Sequence, residues 1–214
     1  MVDREPLRQR LCAGLSTLGL TLDEGAVERL LAYVELMERW NAAYNLTAVR
    51  DPGEMVTRHL LDSLAVAPHV SGATLADLGS GGGLPGIPLA IVAPEREIVL
   101  IDSNGKKARF LREAVRKLGL ARVRVAEGRV ENVTGTFDCI TARAFASLAE
   151  MLAAGGQLLA PTGTWLALKG RFPQDELAAV PADFRVENVI ELRVPGLDAE
   201  RHLVVIRRQP SPDG

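Results

Sequence analysis

The sequence predicts an α/β fold: an open, mostly parallel sheet with an antiparallel hairpin at its C-terminal end, preceded by a helical extension. Three observations lead there. Beyond residue 70, strand-like apolar runs alternate with helical patterns, which implies right-handed βαβ crossovers. The stretch "LADLGSGGGLPGIPLA", residues 75–90, places five glycines within eight positions between two apolar runs. The first seventy residues, by contrast, carry helical spacing. Residues 1–70 are therefore expected to form a helical cap and residues 71–214 the sheet domain, together one compact unit.

Each element has its own signal. Leu7, Leu11, Leu15 and Leu18 recur at helical intervals. Thr21 and Glu24 have the spacing of a capping box, and Val27, Leu30, Leu31, Val34 and Met37 mark one face of the helix behind it. Asp51, Pro52 and Glu54 give a cap, a first-turn proline and an acid, predicting a helix to about Val66. "ATLADL" reads as a buried strand, with a helix from about Leu84. "EIVLID" is a second strand, and the helix after it buries Ala108, Leu111, Val115 and Leu118. "ARVRVAE" and "FDCITA" are the third and fourth strands. A helix near 148–153 and "TWLALKG" complete a fifth pair. "RVENVIELRV" and "RHLVVIRR" have no helix between them and predict the hairpin at a sheet edge.

Composition narrows the class. The 214 residues are 47% hydrophobic yet contain no uncharged apolar run of 18, so no membrane span is expected. The charged start "MVDREPLRQR" has no apolar signal core. Cys12 and Cys139 form no CxxC, which suits a reducing cytoplasm. His59, His69 and His202 lack metal-ligand spacing, so no metal is expected. Net charge is −2, but residues 106–129 hold nine basic and two acidic residues, a local +7 that leaves −9 for the rest. Such a field attracts phosphates, although a solvated helix face has the same composition.

The glycine loop lies where open parallel sheets bind ligands. Gly81, Gly83 and Gly86 satisfy G-x-G-x-x-G, with Asp102 sixteen residues further on, a passable dinucleotide fingerprint. Two details oppose it. The strand ends at Leu78, so the turn begins at Gly79, and counting from there the third slot is Leu84. Asp77 also suits a diphosphate poorly and an ammonium well. S-adenosylmethionine has an ammonium, a sulfonium and a ribose, and no phosphate. On this reading Asp77 serves the ammonium, Gly79 and Gly81 form the floor, and Asp102 accepts from the ribose hydroxyls, unless Asp102 only caps the next helix. A nicotinamide-dependent oxidoreductase and a non-catalytic module binding RNA or a methyl donor remain the alternatives.

The fourth strand constrains the acceptor. "FDCITARAFASL" lacks the Asn or Asp before two prolines and an aromatic that amine methylation uses. It also lacks a cysteine after proline for attack on a pyrimidine carbon, and Cys139 reads as a buried small residue. A ring nitrogen such as guanine N7 needs neither device. Arg143 can donate to guanine O6 or a phosphate, or support the donor; it can equally form a strand-end salt bridge.

The segments "WNAAYNLTAVRDPGEMVTRHLLDSL", "DLGSGGGLPGIPLAI", "LIDSNGKKARFLRE", "TARAFASL", "ALKG" and "LDAERHLVVI" together resemble the RsmG family, also called glucose-inhibited division protein B. The resemblance runs in order from about Leu22 to Arg207. It implies a class I methyltransferase fold and S-adenosylmethionine-dependent methylation of guanine N7 in bacterial 16S ribosomal RNA. It implies donor contacts at Gly79, Leu84, Val130, Glu131 and Arg143. Val130 otherwise reads as core and Glu131 as a helix cap. Candidates for RNA contact are Asn45, Arg58, His59, Arg109, Arg112, Arg116, Lys169 and Arg201. For Asn45, Arg58, His59 and Asp62 a network holding the cap on the sheet is the preferred role, with RNA phosphates the alternative. The expected partner is 16S RNA or the small ribosomal subunit, met by a cytoplasmic monomer.

Overall fold

Aspartates start the helices of the extension. The structure, a computed structural model, describes residues 3–143 and 146–209; Ala144 and Phe145 of the "TARAFASL" segment lie outside the described residues. Asp3 caps α1 (Arg4–Thr17), its carboxylate accepting from the Glu5 N–H. Asp23 caps α2 (Glu24–Tyr44) by accepting from the Ala26 N–H at 2.6 Å. The expected Thr21–Glu24 box is not formed, because the helix begins two residues later than a Thr21 cap requires. Asn45 ends α2 in the left-handed conformation, at φ 49°. Asp51 caps α3 (Pro52–Met55) as expected. The helix then widens into a π-helical turn, Val56–Leu61, before α4 (Asp62–Leu64). The wide turn buries Val56, Thr57, His59, Leu60 and Leu61 together while leaving Arg58 outside.

The sheet follows the predicted alternation. Its elements are β1 (Thr74–Leu78), α5 (Gly86–Val92), β2 (Glu97–Asp102), α6 (Gly105–Lys117), β3 (Val123–Glu127), β4 (Phe137–Arg143), α7 (Leu148–Gly155) and β5 (Leu159–Lys169). A five-residue helix, α8 (Gln174–Ala178), then leads to β6 (Phe184–Glu191) and β7 (His202–Arg208). The spatial order is β3-β2-β1-β4-β5-β7-β6. The hairpin is antiparallel, but β7 inserts between β5 and β6, so of its two strands only β6 lies at an edge.

Strand β1 is buried on both faces, which explains its unbroken apolar run. Leu75 packs with α2, the π turn and α5, while Ala76 and Leu78 join Met151, Trp165 and Ile206 on the opposite face. The first of these clusters also contains Leu7, Leu30, Leu60 and Val66, so the extension and one sheet face share a continuous core. Among the described residues, no helix is long and apolar enough to cross a membrane, and no three metal-binding side chains cluster.

Candidate active site

Strands β1 and β4 are neighbours, with Leu78 opposite Ala142. The glycine loop after Leu78 and the Arg143 end of β4 therefore lie side by side at the carboxyl edge of the sheet. Gly79, Gly81 and Gly83 have φ of 66°, 58° and 87°, all in the left-handed region. Gly83 is doubly required: a Cβ there would also lie 2.5 Å from Ile87 Cδ1. A Cβ at Gly86 would fall 2.3 Å from Leu100 Cδ2, so this glycine lets α5 close on the sheet.

The loop's backbone is anchored from several sides. Ser80 N–H donates to the Ile101 carbonyl at 3.0 Å, and its hydroxyl donates to the Asp77 carbonyl while accepting from Ile101 N–H. Gly81 N–H donates to Asp102 Oδ2 at 2.8 Å, and Asp102 Oδ1 accepts from Asn104 N–H. Asn104, not Asp102, caps α6 through its own side chain. From α2, the Tyr33 hydroxyl donates to the Gly82 carbonyl. Sequence reasoning missed Tyr33, which looks like one more apolar position on a helical stripe.

Asp77 is fully buried. Its Oδ1 accepts from the Thr141 hydroxyl at 2.8 Å and its Oδ2 from Gly86 N–H at 3.2 Å. Burial pushes its carboxyl up to about 6, against the pull of those two donors. The expected contact with an ammonium is thus replaced by an inward tie: residue 77 alternates onto the face of β1 that α5 covers, and it fixes the start of that helix and the neighbouring β4. Leu84 and Val130 are buried, Val130 within the core under α7, while Glu131 is exposed. Cys139 is buried mid-strand, and burial pushes its thiol up to about 12, which fits packing rather than nucleophilic attack.

The far side of the site is made of long charged side chains. Asp62 is 3% exposed and bridges two arginines: Arg143 Nη1 donates to Oδ2 at 3.0 Å, and Arg201 Nε to Oδ1 at 2.7 Å. Both guanidiniums keep about a quarter of their side-chain surface open. Arg201, expected at an RNA backbone, thus serves first to tie the hairpin to the extension. His59 is buried with Nε2 2.9 Å from the Thr47 hydroxyl, and burial, then the charge of Arg143, lowers its pKa to about 4. A neutral, buried imidazole is a poor phosphate ligand, which corrects its place among the RNA candidates. Lys169 is corrected likewise: its ammonium donates to the Ala146 carbonyl at 2.8 Å and to Glu176 at 2.7 Å, pinning the loop after β4 to α8. Asn45 and Arg58 are exposed; Arg58 pairs with Glu54, and Asn45 accepts from Arg50.

On α6, Arg112 pairs with Glu127 at 2.7 Å and Arg116 with Glu113 at 2.9 Å. Arg109 is exposed and has no ion pair among the described residues. With Tyr44, Lys106 and Arg112 it lines a cavity of about 790 Å³ beside the cap of α6. A larger cavity of about 1320 Å³ lies on the outer side of the extension, around Arg4, Glu35, Arg39 and Arg50, away from the glycine loop.

Known proteins align with this arrangement. A family model described as "rRNA small subunit methyltransferase G" matches residues 26–204. A ribosomal RNA small subunit methyltransferase G of Xanthomonas campestris pv. campestris is 56% identical over 92% of this chain and 93% of its own length. One from Neisseria meningitidis is 50% identical over 94% and 99%. Among solved structures, TrmN from Thermus thermophilus has a TM-score of 0.55 at 20% identity, over 72% of this chain and 53% of that one. M. jannaschii TYW2, solved with AdoMet, has 0.54 at 14%, over 69% and 77%. These last two likenesses establish the Rossmann-like fold alone. The match across residues 26–204, with relatives above half identity over nearly full length, carries more: the chain belongs to the GidB family of rRNA small subunit methyltransferase G proteins.

Proposed function

We propose that this chain transfers a methyl group from S-adenosylmethionine to N7 of a guanine in 16S ribosomal RNA, as free RNA or within the small subunit. The observation that carries the reading is the adjacency of the glycine loop and Arg143 at the carboxyl edge of β1 and β4. The loop's surface suits such a donor: a Cβ added at Gly81 would meet only the Gly79 carbonyl at 3.8 Å and the Lys107 ammonium at 4.0 Å, leaving room for a ligand against bare backbone. Gly79, Gly81 and Leu84 would hold the amino-acid end, Asp102 the ribose, and Val130 and Glu131 the adenine side.

When bound, S-adenosylmethionine supplies a methyl group on a positively charged sulfur. The rest falls to the chain. A neutral guanine carries no proton at N7, so no general base is needed. Arg143 orients the base through O6 or a neighbouring phosphate, and Asp62 holds that guanidinium in place. Orientation of this kind can supply roughly 7–11 kcal/mol of a barrier. Lys106 and Arg109 attract the RNA backbone. In this reading the acting form is a monomer, and a ribosomal substrate puts it in the cytoplasm.

The test is to incubate the protein with S-adenosylmethionine and either naked 16S RNA or 30S particles lacking the modification, then digest to nucleosides for mass spectrometry. One new 7-methylguanosine in at least one substrate is expected. Tight S-adenosylhomocysteine binding without methyl incorporation into either would leave only a binding module.

A further inference from the structure

We propose that Tyr33, on the helical extension, is a positioning residue for the methyl donor: its hydroxyl holds one peptide plane of the glycine loop in its ligand-ready orientation. The proposal rests on the donor reading above.

Tyr33 is fully buried, and a buried phenol needs an acceptor. The acceptor is the carbonyl of Gly82, the middle of three successive glycines. The peptide joining Gly82 to Gly83 is held at both ends: its carbonyl by Tyr33, its N–H by the Ser80 carbonyl at 2.7 Å. Glycine peptides turn over readily, because neither flanking residue has a Cβ to oppose it. The phenol ring is itself fixed, lying 6.4 Å from Phe110 of α6 at 28° between planes. Met37, one turn further along α2, supports the same spot, its methyl 3.9 Å from where a Gly82 Cβ would lie. Ser80 and Gly81 are tied to β2, within the sheet; the Gly82 carbonyl is tied to the extension. Burial keeps the hydroxyl protonated well above the usual phenol range, so it remains a donor at neutral pH. The extension therefore completes the donor cradle as well as framing the acceptor side.

Tyr33→Phe removes the hydroxyl and keeps the ring. Calorimetric titration with S-adenosylhomocysteine should show Kd raised about tenfold, the scale of one buried hydrogen bond. The donor KM should rise similarly while the RNA KM stays within twofold. A Kd within twofold of the parent, whatever happens to the melting temperature, would reduce Tyr33 to packing and overturn the proposal. If the parent binds no S-adenosylhomocysteine, the donor reading fails instead. A second measurement covers poor folding of the variant. The chain has two tyrosines, so protein labelled with 3-fluorotyrosine gives two fluorine resonances, assigned with Tyr44→Phe. The Tyr33 resonance should shift on saturation with S-adenosylhomocysteine; an unmoved signal would count against the proposal.

Discussion

The glycine loop, proposed as the donor cradle, and the charged cluster around Asp62, proposed as the acceptor face, lie side by side but are built from different materials. The cradle is main chain: glycines at positive φ, fixed by Ser80, Asp102 and Tyr33. The acceptor face is side chain: Arg143 and Arg201 drawn together by Asp62 from segments remote in sequence. A cradle of backbone keeps its shape at little side-chain entropy cost and tolerates little at each glycine. A face of arginines gives strong directional donors, but its order depends on one buried carboxylate.

The largest break of that contrast is Asp62→Ala. It leaves two confined guanidiniums without their anion and should cost about 3–5 kcal/mol in urea unfolding. Any folded protein should still bind S-adenosylhomocysteine with Kd within about threefold of the parent. A loss of donor binding as large as the loss of methyl transfer would mean that the two halves are one unit.

Acidity separates the halves by sign. Asp77, behind the cradle, has its pKa raised from 3.8 to about 6 by burial. Its contribution to stability is complete below about pH 4 and lost as pH rises past 6. His59, near the acceptor face, is lowered from 6.5 to about 4 by burial and Arg143. Its contribution is complete above about pH 6.5 and lost as pH falls to 4. The two slopes oppose one another in the parent, and single variants separate them. Relative to the parent, Asp77→Asn should be more stable by about 3 kcal/mol at pH 7 than at pH 4, and His59→Gln by a similar amount at pH 4 than at pH 7. Denaturant unfolding across that range reads both; parallel curves would show that neither group titrates as its burial dictates.

The smallest effect sharpens the RNA side. Arg109→Ala should lower the slope of log RNA affinity against log salt by about 0.7, whereas Arg116→Ala should leave it unchanged, since Glu113 already neutralises that residue. Equal effects would show that helix α6 acts as a diffuse charge rather than through particular contacts.

The same contrast governed what could be read in advance. Positive φ leaves a mark in sequence, so the loop at Gly79, Gly81 and Gly83 was legible, as were strands buried on both faces. Asp77 was legible as an important acid but not in its direction, because β1 is covered on both sides and composition does not say which face residue 77 takes. The Asp23 cap lost out to a better-known box two residues upstream, and α8 is too short to show a period. A structural network at Asp62 and a strand-end salt bridge at Arg143 were both legible, but not that they are one bridge: Asp62 meets Arg143 and Arg201 across 81 and 139 residues, and nothing local names the partner. Lys169 illustrates the same point, its ammonium hidden under a loop that only tertiary structure brings there.

The bridge at Asp62 also bears on the order of folding. The residues that tie down the glycine loop, Tyr33, Ser80 and Asp102, fall between positions 33 and 102, whereas Arg201 reaches Asp62 across 139 residues. Closing the longer loop costs more chain entropy, so on refolding the glycine loop is expected to be seated before the two arginines meet over their shared carboxylate.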